Sequence, residues 1–118
     1  MLVSGNINLR VGTNDPKTWQ LLKVDGVTPI SLVGITIADI VFVNENDYSD
    51  TKTFKTTDNP QKLVIDDAAN GIVKFSPAVD DFTTEGIYKF YLAFTVPGGK
   101  RSVPEEKEHT LKVRPSYV

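Results

Sequence analysis

The sequence predicts an all-β protein, an immunoglobulin-sized antiparallel β-sandwich of about seven to eight strands, and three observations lead there. First, residues 86–96 alternate strictly: Tyr88, Phe90, Leu92 and Phe94 fall on one side, Ile87, Lys89, Tyr91, Ala93 and Thr95 on the other. Period two in a run of β-branched and aromatic residues is the pattern of a strand with one face buried. Second, short runs of the same kind recur with turn residues between them at about ten-residue spacing. Third, no stretch of useful length carries the 3.6-residue period of an amphipathic helix.

Taken in order, Asn6–Val11 alternates and predicts a first strand with Ile7, Leu9 and Val11 inward. Gly12–Pro16 is a turn cluster. Thr18–Val24 predicts a second strand, with Trp19 and Leu21 on one face and Leu22 and Val24 on the other. Asp25-Gly26 turns the chain, and Val27–Leu32 reads as short and extended. Ile35–Val43 is apolar on both faces, as in a strand central to a sandwich or part of a subunit contact. Asn44–Asp50 is polar and acidic and reads as a loop. Thr51–Thr56 has one apolar position and reads as an edge strand. After the turn at 57–60, Leu63–Ile65 is a brief buried piece. Asp66–Gly71 ends in the Asn-Gly pair of a hairpin, and Ile72–Phe75 follows as a strand. The strand at 86–96 runs into Pro97-Gly98-Gly99, where proline removes a ladder donor. A long loop to Glu108 then precedes a final strand, His109–Val113, read as an edge with Leu111 and Val113 inward. Residues 1–5 and 115–118 are expected to fray or to serve as linker.

The bulk numbers suit one domain spanning residues 1–118, since a chain of this length buries roughly 65% of its unfolded surface. A net charge of −2 gives no reason to expect nucleic acid or an anionic membrane as partner. Without cysteine there is no disulfide framework, thiolate zinc site or cysteine nucleophile. No run approaches the ~20 apolar residues of a membrane-spanning helix, and no signal peptide is visible at the start. The chain is therefore expected to fold in the cytosol.

Chemical motifs are sparse. His109 is the sole imidazole, so no two-histidine metal site forms within one chain. No Gly-x-Ser-x-Gly elbow accompanies it. Asp66-Asp67, Asp80-Asp81 and Asp58 lack the spacing of a calcium loop, and aspartate is a common turn former. The same residues fix no carboxylate separation for glycoside hydrolysis. Gly98-Gly99-Lys100-Arg101-Ser102 lacks the spacing and the following helix of a phosphate loop, leaving Lys100 and Arg101 as cations suited to steering an acidic partner. Trp19 either fills the core or joins Tyr91 on an exposed aromatic platform for a sugar or a protein. Asp39 sits among Ile37 and Val41, where an unpaired buried carboxylate is costly. It is expected to meet a partner across a subunit contact or a neighbouring strand, with Lys89 and Lys74 as candidates. Tyr88 follows Glu85-Gly86 at the start of its strand. Immunoglobulin-like sandwiches place a corner tyrosine there, whose hydroxyl bonds back to the preceding corner. An ordinary core tyrosine is the other reading.

The order of several features resembles the amino-terminal immunoglobulin-like domain of phage baseplate upper proteins and related tail or fibre attachment modules. Those features are Asp25-Gly26-x-x-Pro29-Ile30-x-Leu32-x-Gly34, the strand Ile35–Val43, Asn70–Phe75, Glu85–Tyr91, Gly98-Gly99-Lys100 with Pro104, and Lys112-Val113-Arg114-Pro115. They cover roughly residues 5 to 115. The resemblance implies a non-enzymatic virion component without cofactor or metal. Such a component is made in the host cytoplasm and docks to other virion proteins, here expected as a homo-oligomer; with the net charge above, neither nucleic acid nor membrane is expected as a partner. Larger members carry a further receptor-binding part, which this chain lacks, so it is expected to be a short member or an excised domain. A capsid decoration or head-fibre protein is a variant of that reading, and a carbohydrate-binding or adhesin-type sandwich is the alternative.

Overall fold

The computed structural model describes residues 2–4, 8–23, 25–95, 101–102 and 109–114. Among them are ten strands: β1 Leu2–Ser4, β2 Asn8–Arg10, β3 Lys17–Leu22, β4 Ile37–Asn44, β5 Asp47–Lys55, β6 Leu63–Asp67, β7 Ile72–Phe75, β8 Gly86–Thr95, β9 Arg101–Ser102 and β10 His109–Arg114. They form two sheets. One has four strands in the order β1-β3-β7-β6; the other has six, in the order β2-β10-β8-β4-β5 with β9 beside β8. The fold is an immunoglobulin-like β-sandwich: the first sheet follows the A-B-E-D order, and β10-β8-β4-β5 follow G-F-C-C′.

Alternation puts the core between the sheets. Tyr88, Phe90, Leu92 and Phe94 of β8 are buried, as are Ala38, Ile40 and Phe42 of β4 and Trp19 and Leu21 of β3. Phe42 is the hub, with ring centroids 5.3 Å from Phe82, 5.4 Å from Phe75, 5.5 Å from Phe90 and 6.0 Å from Phe54. Immunoglobulin domains carry a disulfide between strands B and F, two residues after the corner tyrosine. Here Phe90 holds that position on β8, and Trp19 of β3 stacks on it at 5.6 Å. An aromatic stack thus joins the sheets in a chain without cysteine. Each such pair contributes ~0.5–1.5 kcal/mol beyond its buried area.

Several elements differ from the sequence reading. The ladder is not wholly antiparallel, because β2 lies parallel to β10, with Leu9 opposite Val113. The initial segment therefore serves both sheets, β1 on one and β2 on the other. Flanked by β2 and β8, β10 is an interior strand rather than an edge, and His109 is half-buried with its ring 5.4 Å from Phe90. Residues 27–32 contribute a single bridge, Leu22 to Pro29, in place of a strand. Their connection rests on Gly71, which has φ +66°. A Cβ there would press onto the carbonyl oxygen of Ile30 and come within 2.9 Å of that of Leu21. The acidic stretch read as a loop holds the first residues of β5. Side chains there supply the turn bonds that hid the strand: Asn44 Oδ1 accepts Asn46 N–H at 2.9 Å, and Asp47 Oδ1 accepts Ser49 N–H at 3.1 Å. The ladder is irregular at the same place, between Val43 and Asn44. β9 falls within the loop expected after Val96 and pairs with the end of β8. Ile7, Val24 and Pro97–Lys100 lie outside the described residues.

Candidate functional site

The outer face of the six-stranded sheet is the candidate site. On β4 and β8 the odd residues point away from the core, and the register sets Val41 beside Tyr91, Val43 beside Lys89 and Ile37 beside Thr95. An antiparallel sheet with one face in water reads polar on that face. Here the strip along β4 and β8 is largely apolar, with Ile37 43% exposed, Tyr91 42% and Ile87 38%. Val41 and Ala93 lie on the same face but are buried. Tyr91, singled out from the sequence, thus stands at the middle of an apolar row.

Asp39 belongs to this face too. It is half-buried, with Lys55 opposite on β5 and Ala93 opposite on β8. Lys89 is opposite Val43, well along β8, and Lys74 is on the other sheet opposite Thr18 and Val64. The register therefore puts Lys55, and neither expected lysine, next to Asp39. Asp39, Lys55 and Ile37 line a concavity of about 380 Å3 with Ala38, Thr57 and Thr95.

Trp19 is absent from this face. It is fully buried between Phe75, at 5.9 Å, and Phe90. Its place on β3, alternating with exposed Thr18, turns it inward, so no aromatic platform with Tyr91 exists. Lys100 lies outside the described residues, and Arg101 is placed by its backbone pairing with Thr95. Among the described residues no group of three or more His, Asp or Glu is arranged to hold a metal ion.

Tyr88 is buried, but its hydroxyl turns away from the preceding corner and donates to Asp50 Oδ2 on β5. Asp50 also accepts from Asn44 Nδ2 at 3.2 Å and pairs with Lys52 Nζ at 2.7 Å. The ammonium of Lys52 lies 5.8 Å from the Phe82 ring centroid and 5.9 Å from that of Tyr88. The Lys52 and Tyr88 bonds hold the Asp50 carboxyl down at about 2. Burial, with the Asp50 carboxylate beside it, pushes the Tyr88 hydroxyl up to about 12. This is a clamp: it ties the irregular start of β5 to the central strand. Sequence reasoning missed it because Asp50 was read as loop. The signal was present, since Asp50, Lys52 and Phe54 alternate with Thr51, Thr53 and Lys55. A second clamp, Lys62 Nζ on both oxygens of Asp81 at 2.9 and 2.8 Å, ties the start of β6 to the turn before β8.

The fold defines a class, an immunoglobulin-like sandwich without a disulfide. No family model matches the chain, and a search of curated proteins finds no match. Among solved structures it is similar to murine CRIg, at 11% identity and a TM-score of 0.43, over 98% of this chain and 97% of that one.

Proposed function

We propose that the chain is a non-catalytic structural module of a phage particle, a docking or adaptor component of the tail or baseplate. It is held by protein contact through the outer face of the six-stranded sheet. The observation that carries the contact is the apolar row Ile37, Tyr91 and Ile87, exposed on central strands with Val41 and Val43 between them. Central aromatic and aliphatic residues with a charged surround are what protein interfaces select. The phage setting comes from the order of sequence motifs. Capsid decoration uses the same contact on a different particle surface.

The test is capture of the purified chain by separately purified tail, baseplate and capsid proteins, followed by size exclusion. The native chain is expected to co-elute with a tail or baseplate component, and Tyr91→Asp to lose that capture while keeping its β circular dichroism. A native chain that joins no virion protein overturns the proposal.

A further inference from the structure

We infer that the outer face of the six-stranded sheet pairs with a second copy of this chain, across a two-fold axis running along β8. This rests on the protein-contact reading above: a second copy covers the face in the free chain, and a virion component that captures the chain displaces it.

At the end of the sheet that holds Gly86 and Asn44, its two margins carry opposite charge. On one side β2, β10 and β8 contain no carboxylate at all. Their outer face bears Arg10, Lys89, Lys112 and Arg114, with Arg10 opposite Arg114 and Lys112 opposite Asn8. Lys112 and Arg114 lie two apart on the same face of β10, so this end of the margin favours an anionic neighbour. Lys112 and Arg114 are exposed and form no ion pair among the described residues. With Asn8 and Thr110 they line a concavity of about 330 Å3.

On the other side the tip of the β4–β5 hairpin carries Glu45 and Asp47, both exposed, and Tyr48, 73% exposed. The tip lies at the same end of the sheet as Lys112 and Arg114. Glu45 N–H donates to Ile87 O at 2.9 Å, and Ile87 is opposite Lys112.

Rotation about an axis along β8 reverses the strand order and leaves the ends in place. One copy's acidic tip then lies over the partner's Lys112–Arg114 concavity, and the partner's tip lies over its own. Ile87, Tyr91 and Val41 meet near the axis. The contact is isologous, the same patch on both copies, so it closes at two. Edge-to-edge pairing, the other route by which sheets join, is blunted at β5. There Asp58 Oδ2 holds Lys55 N–H at 2.8 Å and Asp47 holds Ser49 N–H.

Sedimentation equilibrium on the full chain tests this with two charge-reversed variants, Lys112→Glu with Arg114→Glu, and Glu45→Lys with Asp47→Lys. The native chain is expected to dimerise. Each variant alone sets like charges together twice and should raise the dissociation constant roughly tenfold or more. An equimolar mixture of the two restores both attractions and should associate like the native chain, as a mixed dimer. Variants that dimerise as well as the native chain, or a mixture of folded variants that stays monomeric, overturn the pairing. So does a native chain that is monomeric throughout. If that monomer is still captured by virion proteins, and Tyr91→Asp abolishes capture, the docking reading survives without the self-pairing.

Discussion

Tyr88 and Tyr91 lie on one strand, and the pleat sends them in opposite directions. Tyr88 has no exposure, touches the Phe82 ring edge-on at 5.3 Å and donates to Asp50. Tyr91 is 42% exposed beside Val41. The inner ring and its neighbours account for folding. The outer ring adds little to folding that a smaller β-former would not, and it is available for a partner. A strand with apolar residues on both faces therefore divides into a stability face and a contact face, and substitutions can separate the two.

The largest expected effect is on the inner face. Trp19→Ala removes the ring that stacks on Phe75 and Phe90 where immunoglobulin domains have a disulfide. Large-to-small changes of this kind cost about 3–5 kcal/mol. A melting temperature lower by on the order of 10–20 °C would follow in a thermal scan by circular dichroism. A drop of only a degree or two would mean that the stack is not what joins the sheets.

Next is the clamp. Asp50→Ala leaves the Tyr88 hydroxyl buried without its acceptor, at a cost of about 2 kcal/mol at neutral pH by urea denaturation. The sign with pH follows from the carboxyl, which the fold holds at about 2, below its ordinary value. A group depressed in the folded state stabilises above its unfolded value and loses that contribution as the pH falls. The gap between the native chain and Asp50→Ala should be full at neutral pH and narrow between about 4 and 2. A gap that widens on acidification contradicts the clamp. Tyr88→Phe removes one bond and leaves Asp50 with Lys52 and Asn44, so about 1 kcal/mol is expected.

Much of the sandwich was legible because burial on one face writes itself into period two. Ile72–Phe75 and the strand starting at Gly86 stand where the alternation put them, and Trp19, with Leu21, faces inward as the core alternative held. What stayed hidden is set by partners distant in sequence. Asp39 could not be matched to Lys55 before the β4–β5 register was known, and that register is shifted by an irregularity at Val43. Nothing local in Asn8–Arg10 says that it will run parallel to β10. Asp50 was lost for a related reason: aspartate, asparagine and serine are the residues of turns, and in Asn44–Asp50 they make turn bonds inside a paired hairpin. The outer face was half legible. Its alternation gave Tyr91, whereas the opposed charge of its two margins needs the strand order.

The smallest effect on folding belongs to the outer face. Tyr91→Thr keeps a β-former on a central strand and removes a ring with substantial exposure, so stability should move by no more than about 0.5 kcal/mol. Self-association should weaken all the same, because Tyr91 lies close to the inferred axis and each ring removed counts in both copies. The two readouts belong in one experiment, urea denaturation of dilute monomer beside sedimentation at high concentration. Loss of association with stability unchanged separates the two faces of β8 cleanly. A fall in stability as large as that of Asp50→Ala would instead mean that Tyr91 supports the fold, and the division drawn from the pleat would not hold.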